Sequence, residues 1–112
     1  MDYIFDQHRQ QGMAIESAVL QEGEPAVAPV DGTLADHLAG SIADVTGKRP
    51  SFELCPGILE TRFFTARGIP GYNYGPGVLE VSHGPDEYVE LSSLLQCAAV
   101  YALTAVRLLL RK

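Results

Sequence analysis

The chain has 112 residues, enough for one ordinary domain or for a piece of a larger one. Its hydrophobic content of 46% is typical of globular proteins, and its formal net charge is -6 with no basic cluster larger than an adjacent pair. Because nucleic-acid binding needs a face lined by lysine and arginine, this composition argues against a nucleic-acid partner. The N-terminal residues lack the basic region and apolar core of a secretory signal.

The two cysteines, Cys55 and Cys97, are far apart and form no CxxC metal or redox motif. Both lie among apolar neighbours in the sequence. We therefore expect two buried, reduced thiols and a cytoplasmic location.

The first segments of the chain predict a short helix, a strand and a loop. Residues 2–11 favour a short helix that stops at Gly12. Residues 13–20 partly alternate between apolar and polar positions, which is typical of a half-buried strand. Residues 21–32 contain two prolines and an Asp-Gly pair, a composition that indicates a loop.

The clearest amphipathic helix in the first half covers residues 33–46. Gly47 follows it, where a left-handed C-cap is expected. His37 lies beside the apolar face and, like His8, is predicted to be a surface histidine because no second ligand is near it. The apolar positions on one face of this helix are Leu34, Leu38, Ile42 and Val45.

The middle of the chain predicts alternating short elements. Residues 51–55 favour a second strand, residues 58–67 a helical turn that ends at Gly68, and residues 69–74 a short buried strand. The strand at 13–20, the helix at 33–46 and the strand at 51–55 suit, in this order, an α/β fold class, with α+β as the alternative.

The longest apolar pattern covers residues 91–110 and follows the i, i+3, i+4 rule. A membrane span needs about 20 predominantly apolar residues, but Gln96, Thr104 and Arg107 interrupt this run. We therefore predict a packed core helix and no membrane partner. The positions expected to face the core are Leu91, Leu94, Leu95, Ala98, Ala99, Ala102, Ala105, Val106 and Leu109.

Two side chains stand out as candidates for chemistry. His83 lies in the turn-rich stretch 74–89, and imidazole is a common zinc ligand. Asp86 and Glu87 are close to His83 in sequence, but Glu87 can instead accept hydrogen bonds from loop amides or neutralise the start of the following helix. A plain connecting loop is therefore the alternative. Arg62 has a planar guanidinium that suits a carboxylate, and an internal salt bridge to Glu60 or another acid explains it equally well.

An ordered series of motifs connects these candidates. The motifs are residues 57–64 (GILETRFF), 68–70 (GIP), 74–77 (YGPG) and 83–89 (HGPDEYV). Together they resemble the C-terminal end of the family that contains acetylornithine deacetylase, succinyl-diaminopimelate desuccinylase and related dinuclear-zinc aminoacylases and peptidases. The resemblance is clearest over residues 45–103.

The resemblance implies a partial zinc-peptidase-like catalytic layer with half of a lid domain. Residues 1–56 would be the second half of the lid or dimerisation domain, and residues 57–112 the C-terminal part of the catalytic domain. His83 would be the last zinc ligand. Arg62 would receive a substrate carboxylate near the Gly57 turn.

The sequence departs from the family at the substrate-binding motif. Glu60 stands where the family usually has aspartate, and Leu59 where a small or hydroxyl residue is common. The family's remaining ligands and its Glu-Glu pair, which supplies the general base, have no match in this chain.

The resemblance implies hydrolysis of an N-acyl amino acid or peptide amide by a metal-activated water, with zinc, cobalt or manganese as the metal. Because activation needs a full ligand set and a base, we expect this chain alone to bind no metal tightly and to be inactive. The residues leave open whether the chain is itself an enzyme. The alternative is a non-catalytic dimerisation or interaction module, and we expect a homo-oligomer or an assembly with the N-terminal part of such an enzyme.

Overall fold

A computed structural model describes residues 2–110 as helices joined by long loops. The α-helices are α1 (Asp2–Gln10), α2 (Thr33–Thr46), α3 (Thr61–Thr65) and α4 (Leu91–Leu109). A short 3₁₀ helix covers Leu79–Val81. Within residues 2–110 no β-strand is formed.

The three segments expected to be strands, 13–20, 51–55 and 69–74, have no regular secondary structure. A strand exists only when a neighbouring strand completes its ladder of backbone hydrogen bonds. No such pairing occurs within the described part of the chain, so these local patterns do not form strands here. The α/β class remains a prediction for the complete domain.

The helical predictions are confirmed, because periodicity and end signals are local properties. Helix α1 ends just before Gly12, whose φ is +87°. Helix α2 has the predicted bounds, and Gly47 closes it in the left-handed region with φ 77°. The Gly47 N–H donates to the Ala43 carbonyl at 2.8 Å, which satisfies one of the carbonyl groups at the helix end.

The packing of α2 against α4 is the main tertiary contact. Its centre consists of Leu38 and Ile42 of α2 and Val100 of α4. Val100 is completely buried. Tyr72 and Tyr74 of the preceding loop pack against the same cluster and extend the small core.

The face of α4 that contacts α2 differs from the predicted one. The residues buried on α4 are Cys97, Val100 and Thr104. The apolar face chosen from periodicity points away from α2, with Leu91 78%, Leu95 74% and Leu109 82% exposed. Periodicity identifies a stripe on a helix, but the small and polar residues of the opposite stripe allow the close approach to α2.

Polar contacts join the two helices beside their apolar centre. The Arg107 guanidinium donates from Nη1 to the Ser41 hydroxyl at 3.1 Å and from Nη2 to the Asp44 carboxylate. Ser41 is buried. Because α2 lies before residue 56 and α4 after it, the helix pair joins the two predicted domains, whose boundary stays a prediction.

Helix α4 is long and apolar enough to cross a membrane by length and composition alone. A core helix of a soluble protein meets the same criterion. Only 17% of the apolar window of α4 is buried in the structure. The packing on α2 and the ion pair of Arg107 with Asp44 cover one side of the helix, so a fully packed core helix stays a prediction.

The described chain is extended in shape. Its Cα radius of gyration is 19.6 Å and its principal extents are 65 × 36 × 20 Å. A compact domain of about 100 residues has a radius of gyration of about 13 Å. The small helical core therefore leaves much of the loop surface outside any closed interior.

Candidate functional site

Two of the predicted site residues line the same pocket. The pocket has a volume of about 500 Å³ and lies between the loop around Gly23 and the segment that leads into α3. Arg62 and Gly57 both contribute to its wall. Apolar residues form much of the remaining wall, including Pro25, Val27, Leu54 and Ile58.

Arg62 is held at this pocket by its surroundings. Its Cζ lies 4.7 Å from the centre of the Phe63 ring, a cation–π distance. Its Nε is buried without a hydrogen-bond partner among the described residues. No carboxylate of residues 2–110 forms an ion pair with Arg62, so the internal salt bridge to Glu60 that the sequence left open is not formed.

Gly57 lies at the turn that precedes α3. Its N–H donates to the Cys55 Sγ at 3.4 Å. Cys55 is exposed, whereas Cys97 of α4 is buried. The prediction of two buried thiols is therefore wrong for Cys55, because its segment has no covering layer in this structure.

The pocket combines one unpaired guanidinium with mostly apolar walls. Such a combination suits a carboxylate attached to a short aliphatic group, because the cation fixes the charged end and the walls cover the rest. Glu24 also lines the pocket and adds a negative charge at its wall. An amine on the same ligand would be compatible with the carboxylate of Glu24.

Gly23 is a pocket residue that the sequence did not single out. A Cβ built on Gly23 would lie 2.5 Å from Arg62 Nη1. The two residues are far apart in the chain and come together only through the loops. A lone glycine before Glu24-Pro25 reads as a turn residue, so no local signal could identify this contact.

His83 lies apart from the Arg62 pocket. Its side chain is exposed, and its φ of 63° is the one positive value among the described non-glycine residues. The His83 N–H donates to Glu87 Oε2 at 3.1 Å. Glu87 thus accepts a hydrogen bond from a loop amide, which is one of the roles that the sequence allowed for it.

The residues around His83 do not form a complete metal centre. Within residues 2–110 no group of three or more His, Cys, Asp and Glu side chains could hold a metal ion. A catalytic zinc site typically has three protein ligands. His83 can supply one imidazole at most, so no catalytic step through a metal follows from this chain by itself.

Three tyrosines near the helix pair have raised pKa values. Partial burial raises the pKa of Tyr72, and Asp31 and Asp36 raise it further. Partial burial and then the Cys97 thiol raise the pKa of Tyr74 and of Tyr101. The Tyr101 hydroxyl donates to the Tyr74 carbonyl, and the two rings meet edge to face at 6.3 Å.

Comparison with known proteins agrees with the motif series. The sequence pattern of peptidase family M20/M25/M40 matches residues 8–107. The succinyl-diaminopimelate desuccinylase of Nitrosomonas eutropha is 31% identical over 108 residues, which cover 96% of this chain and 27% of that protein. The enzyme of the same name from Nitrosomonas europaea is 32% identical over 107 residues, with the same coverage of 96% and 27%.

The aligned lengths show how much of each relative this chain covers. The chain spans about a quarter of the length of the curated relatives it matches. No solved structure matches it. Since the family pattern covers nearly the whole sequence, the chain belongs to peptidase family M20/M25/M40.

Proposed function

We propose that this chain is the carboxylate-binding, C-terminal part of a metal-dependent amidohydrolase. The single observation that carries the proposal is the Arg62 guanidinium, which lies at a 500 Å³ pocket without an acidic partner in the described chain. The relatives are named for removal of a succinyl group from diaminopimelate. That name supports an N-acyl amino acid as the substrate class, with a peptide as the alternative.

In this proposal Arg62 binds and orients the substrate carboxylate. A guanidinium offers two parallel N–H donors that match the two oxygens of a carboxylate. Apolar residues of the pocket wall lower the local dielectric constant beside this pair and so strengthen it. Gly57, at the edge of the pocket, leaves room for the ligand because it carries no side chain.

His83 would contribute one imidazole to a metal centre whose other ligands come from elsewhere in the complete enzyme. Zinc, cobalt or manganese would there activate the water that attacks the amide. Because residues 2–110 do not gather a ligand set, we propose that this chain alone has no turnover.

The carboxylate site is tested by comparing succinate with its neutral diamide, succinamide, in binding experiments on the 112-residue chain. Succinate should bind more tightly, and Arg62→Lys should weaken it by about tenfold, since hydrogen bonds to charged groups contribute about 1.5–3 kcal/mol. Arg67→Lys is the matched control, because Arg67 is exposed and donates to the Phe63 carbonyl outside the pocket. Equal affinity for succinate and succinamide would overturn the assignment.

The absence of turnover is tested with zinc or cobalt and N-acyl amino acid substrates. We expect no hydrolysis by the chain alone and no tight zinc site in a titration. Hydrolysis that disappears in His83→Ala would contradict this part of the proposal, because it would show that the missing ligands are assembled by other means.

The exposed apolar face of α4 favours a second candidate function, an interaction module without catalysis. Leu91, Leu95 and Leu109 on this face are all more than two-thirds exposed. Such a module would associate through apolar surface without binding succinate. Binding of succinate that depends on Arg62 would favour the amidohydrolase part over this alternative.

A further inference from the structure

The Arg62 guanidinium lies so close to Gly23 that no side chain fits between them. An ideal Cβ at this position would lie 2.5 Å from Arg62 Nη1 and 3.5 Å from Arg62 Cζ. The first distance is too short for two non-bonded heavy atoms. The Arg62 guanidinium therefore occupies the space that the side chain of any other residue at position 23 would fill.

The backbone conformation of Gly23 does not itself require glycine. The positive φ angles among the described glycines belong to Gly12, Gly32, Gly47 and Gly68, and not to Gly23. The usual reason for a glycine, access to the left-handed region, does not apply here. The remaining structural reason for a glycine at position 23 is the close approach of the Arg62 guanidinium.

The Phe63 ring lies on another side of the Arg62 guanidinium and limits the positions that this group can take. The Arg62 Cζ lies 4.7 Å from the centre of this ring. The buried Nε of Arg62 has no hydrogen-bond partner among the described residues. The guanidinium thus lies between the Phe63 ring and the space left free by the missing side chain of Gly23, without an ion pair to an acid of the described chain.

We infer that Gly23 is a positioning residue, because its missing side chain leaves the space in which the Arg62 guanidinium lies at the pocket wall in carboxylate-binding orientation. The inference rests on the proposed carboxylate site and identifies a second residue on which that site depends. A methyl group at position 23 pushes against the end of a flexible side chain, so the guanidinium moves while the backbone keeps its course. The expected damage is to the direction of the charge and not to the fold.

The first test observes Arg62 directly by NMR of the nitrogen-labelled chain. Its Nε–H signal, assigned by its loss in Arg62→Lys, should exchange slowly with water because Nε is buried. Gly23→Ala should accelerate this exchange several-fold. Gly75→Ala is the matched control, since a Cβ at Gly75 would meet no atom within 4 Å, and it should leave the exchange unchanged.

The second test measures succinate affinity in the same variants. Gly23→Ala should weaken binding by about tenfold, comparable to the displacement of one charged hydrogen bond, and Gly75→Ala should not. Unchanged Arg62 exchange and unchanged affinity in Gly23→Ala would overturn the inference while leaving Arg62 as the carboxylate site. Accelerated exchange in a chain that binds no succinate would instead retain the inference on positioning and reject the proposed function.

A double variant separates positioning from a folding defect. If Gly23→Ala lowers the melting temperature, adding Arg62→Lys should restore part of it, because lysine lacks the planar fork that meets the new methyl group. No recovery in the double variant would place the damage elsewhere and overturn the inference.

Discussion

Arg107 reaches two residues of α2 from the last turns of α4, and its contacts have unequal weight. The bond to Asp44 joins a partly exposed guanidinium to a carboxylate whose side chain is 59% exposed. Exposed ion pairs contribute about 0–1 kcal/mol because water and salt screen them. The bond to Ser41 satisfies a hydroxyl that is completely buried, so its loss leaves a polar group without a partner.

Arg107→Met should therefore lower the free energy of unfolding by about 1–2 kcal/mol, most of it through Ser41. Asp44→Asn should cost less, about 0.5 kcal/mol. Urea denaturation followed by far-UV circular dichroism measures both. An Asp44→Asn variant that loses as much stability as Arg107→Met would show that the ion pair, and not the buried hydroxyl, is the stronger contact.

The three perturbed tyrosines predict a decline of stability in alkaline solution. Burial raises the pKa of Tyr72, Tyr74 and Tyr101 above the ordinary value of 10.0. Above that pH the unfolded chain loses these protons while the folded chain keeps them, so ionisation favours unfolding. The stabilising effect is fully present below about pH 10 and is lost as the pH rises toward the folded values.

Thermal unfolding at a series of alkaline pH values tests this sign. Tyr101→Phe should flatten the decline, because one of the ionising groups is gone. The same variant should have lower stability at neutral pH, since it loses the hydrogen bond to the Tyr74 carbonyl. A decline of unchanged steepness in Tyr101→Phe would contradict the assignment to this tyrosine.

At the level of elements, the two faces of α4 should respond oppositely to truncation. Val100 is 0% exposed and fills the centre of the contact with α2. Val100→Ala should destabilise the chain by about 1–3 kcal/mol through lost burial and a residual cavity. Leu95 is 74% exposed on the opposite face, so Leu95→Ala should change the stability by less than about 0.5 kcal/mol.

Chemical denaturation of both variants at low protein concentration tests both expectations. A large loss of stability in Leu95→Ala would mean that the outer face of α4 is covered in solution. Repeating the measurement at higher concentration then shows whether a second copy covers it, because association makes stability depend on concentration.

At the scale of the whole molecule, the buried core of the described chain is small and many large apolar side chains are exposed. Its buried hydrophobic core consists of six residues among those described: Ala35, Leu38, Ala39, Ile42, Cys97 and Val100. Many large apolar residues are exposed, and the radius of gyration of 19.6 Å exceeds that of a compact domain. Exposed apolar surface of this extent favours association.

We therefore expect the chain to self-associate in a concentration-dependent way. Sedimentation velocity or small-angle scattering over a dilution series measures the effect. Replacing Leu91 and Leu95 on the exposed face with glutamate should shift the chain toward monomer. Association through that face would then bury two charged carboxylates, which costs free energy. A stable monomer at every concentration in the unmodified chain would contradict the prediction.

The sequence by itself determined the helices and indicated the family. The periodicity of residues 33–46 and the glycine after them predicted α2 and its C-cap, since both depend on neighbouring residues. The ordered motifs around Arg62 and His83 indicated the family that the comparisons show.

Only the tertiary structure decided which surfaces meet. The contact of Gly23 with Arg62, the exposure of Cys55 and the choice of the Val100 face on α4 all depend on segments distant in the chain. Helix periodicity is set by hydrogen bonds four residues apart, and so it is readable locally. Packing partners and strand ladders are set by chain segments that local patterns do not specify, which is why the predicted strands and the predicted core face of α4 differ from the structure.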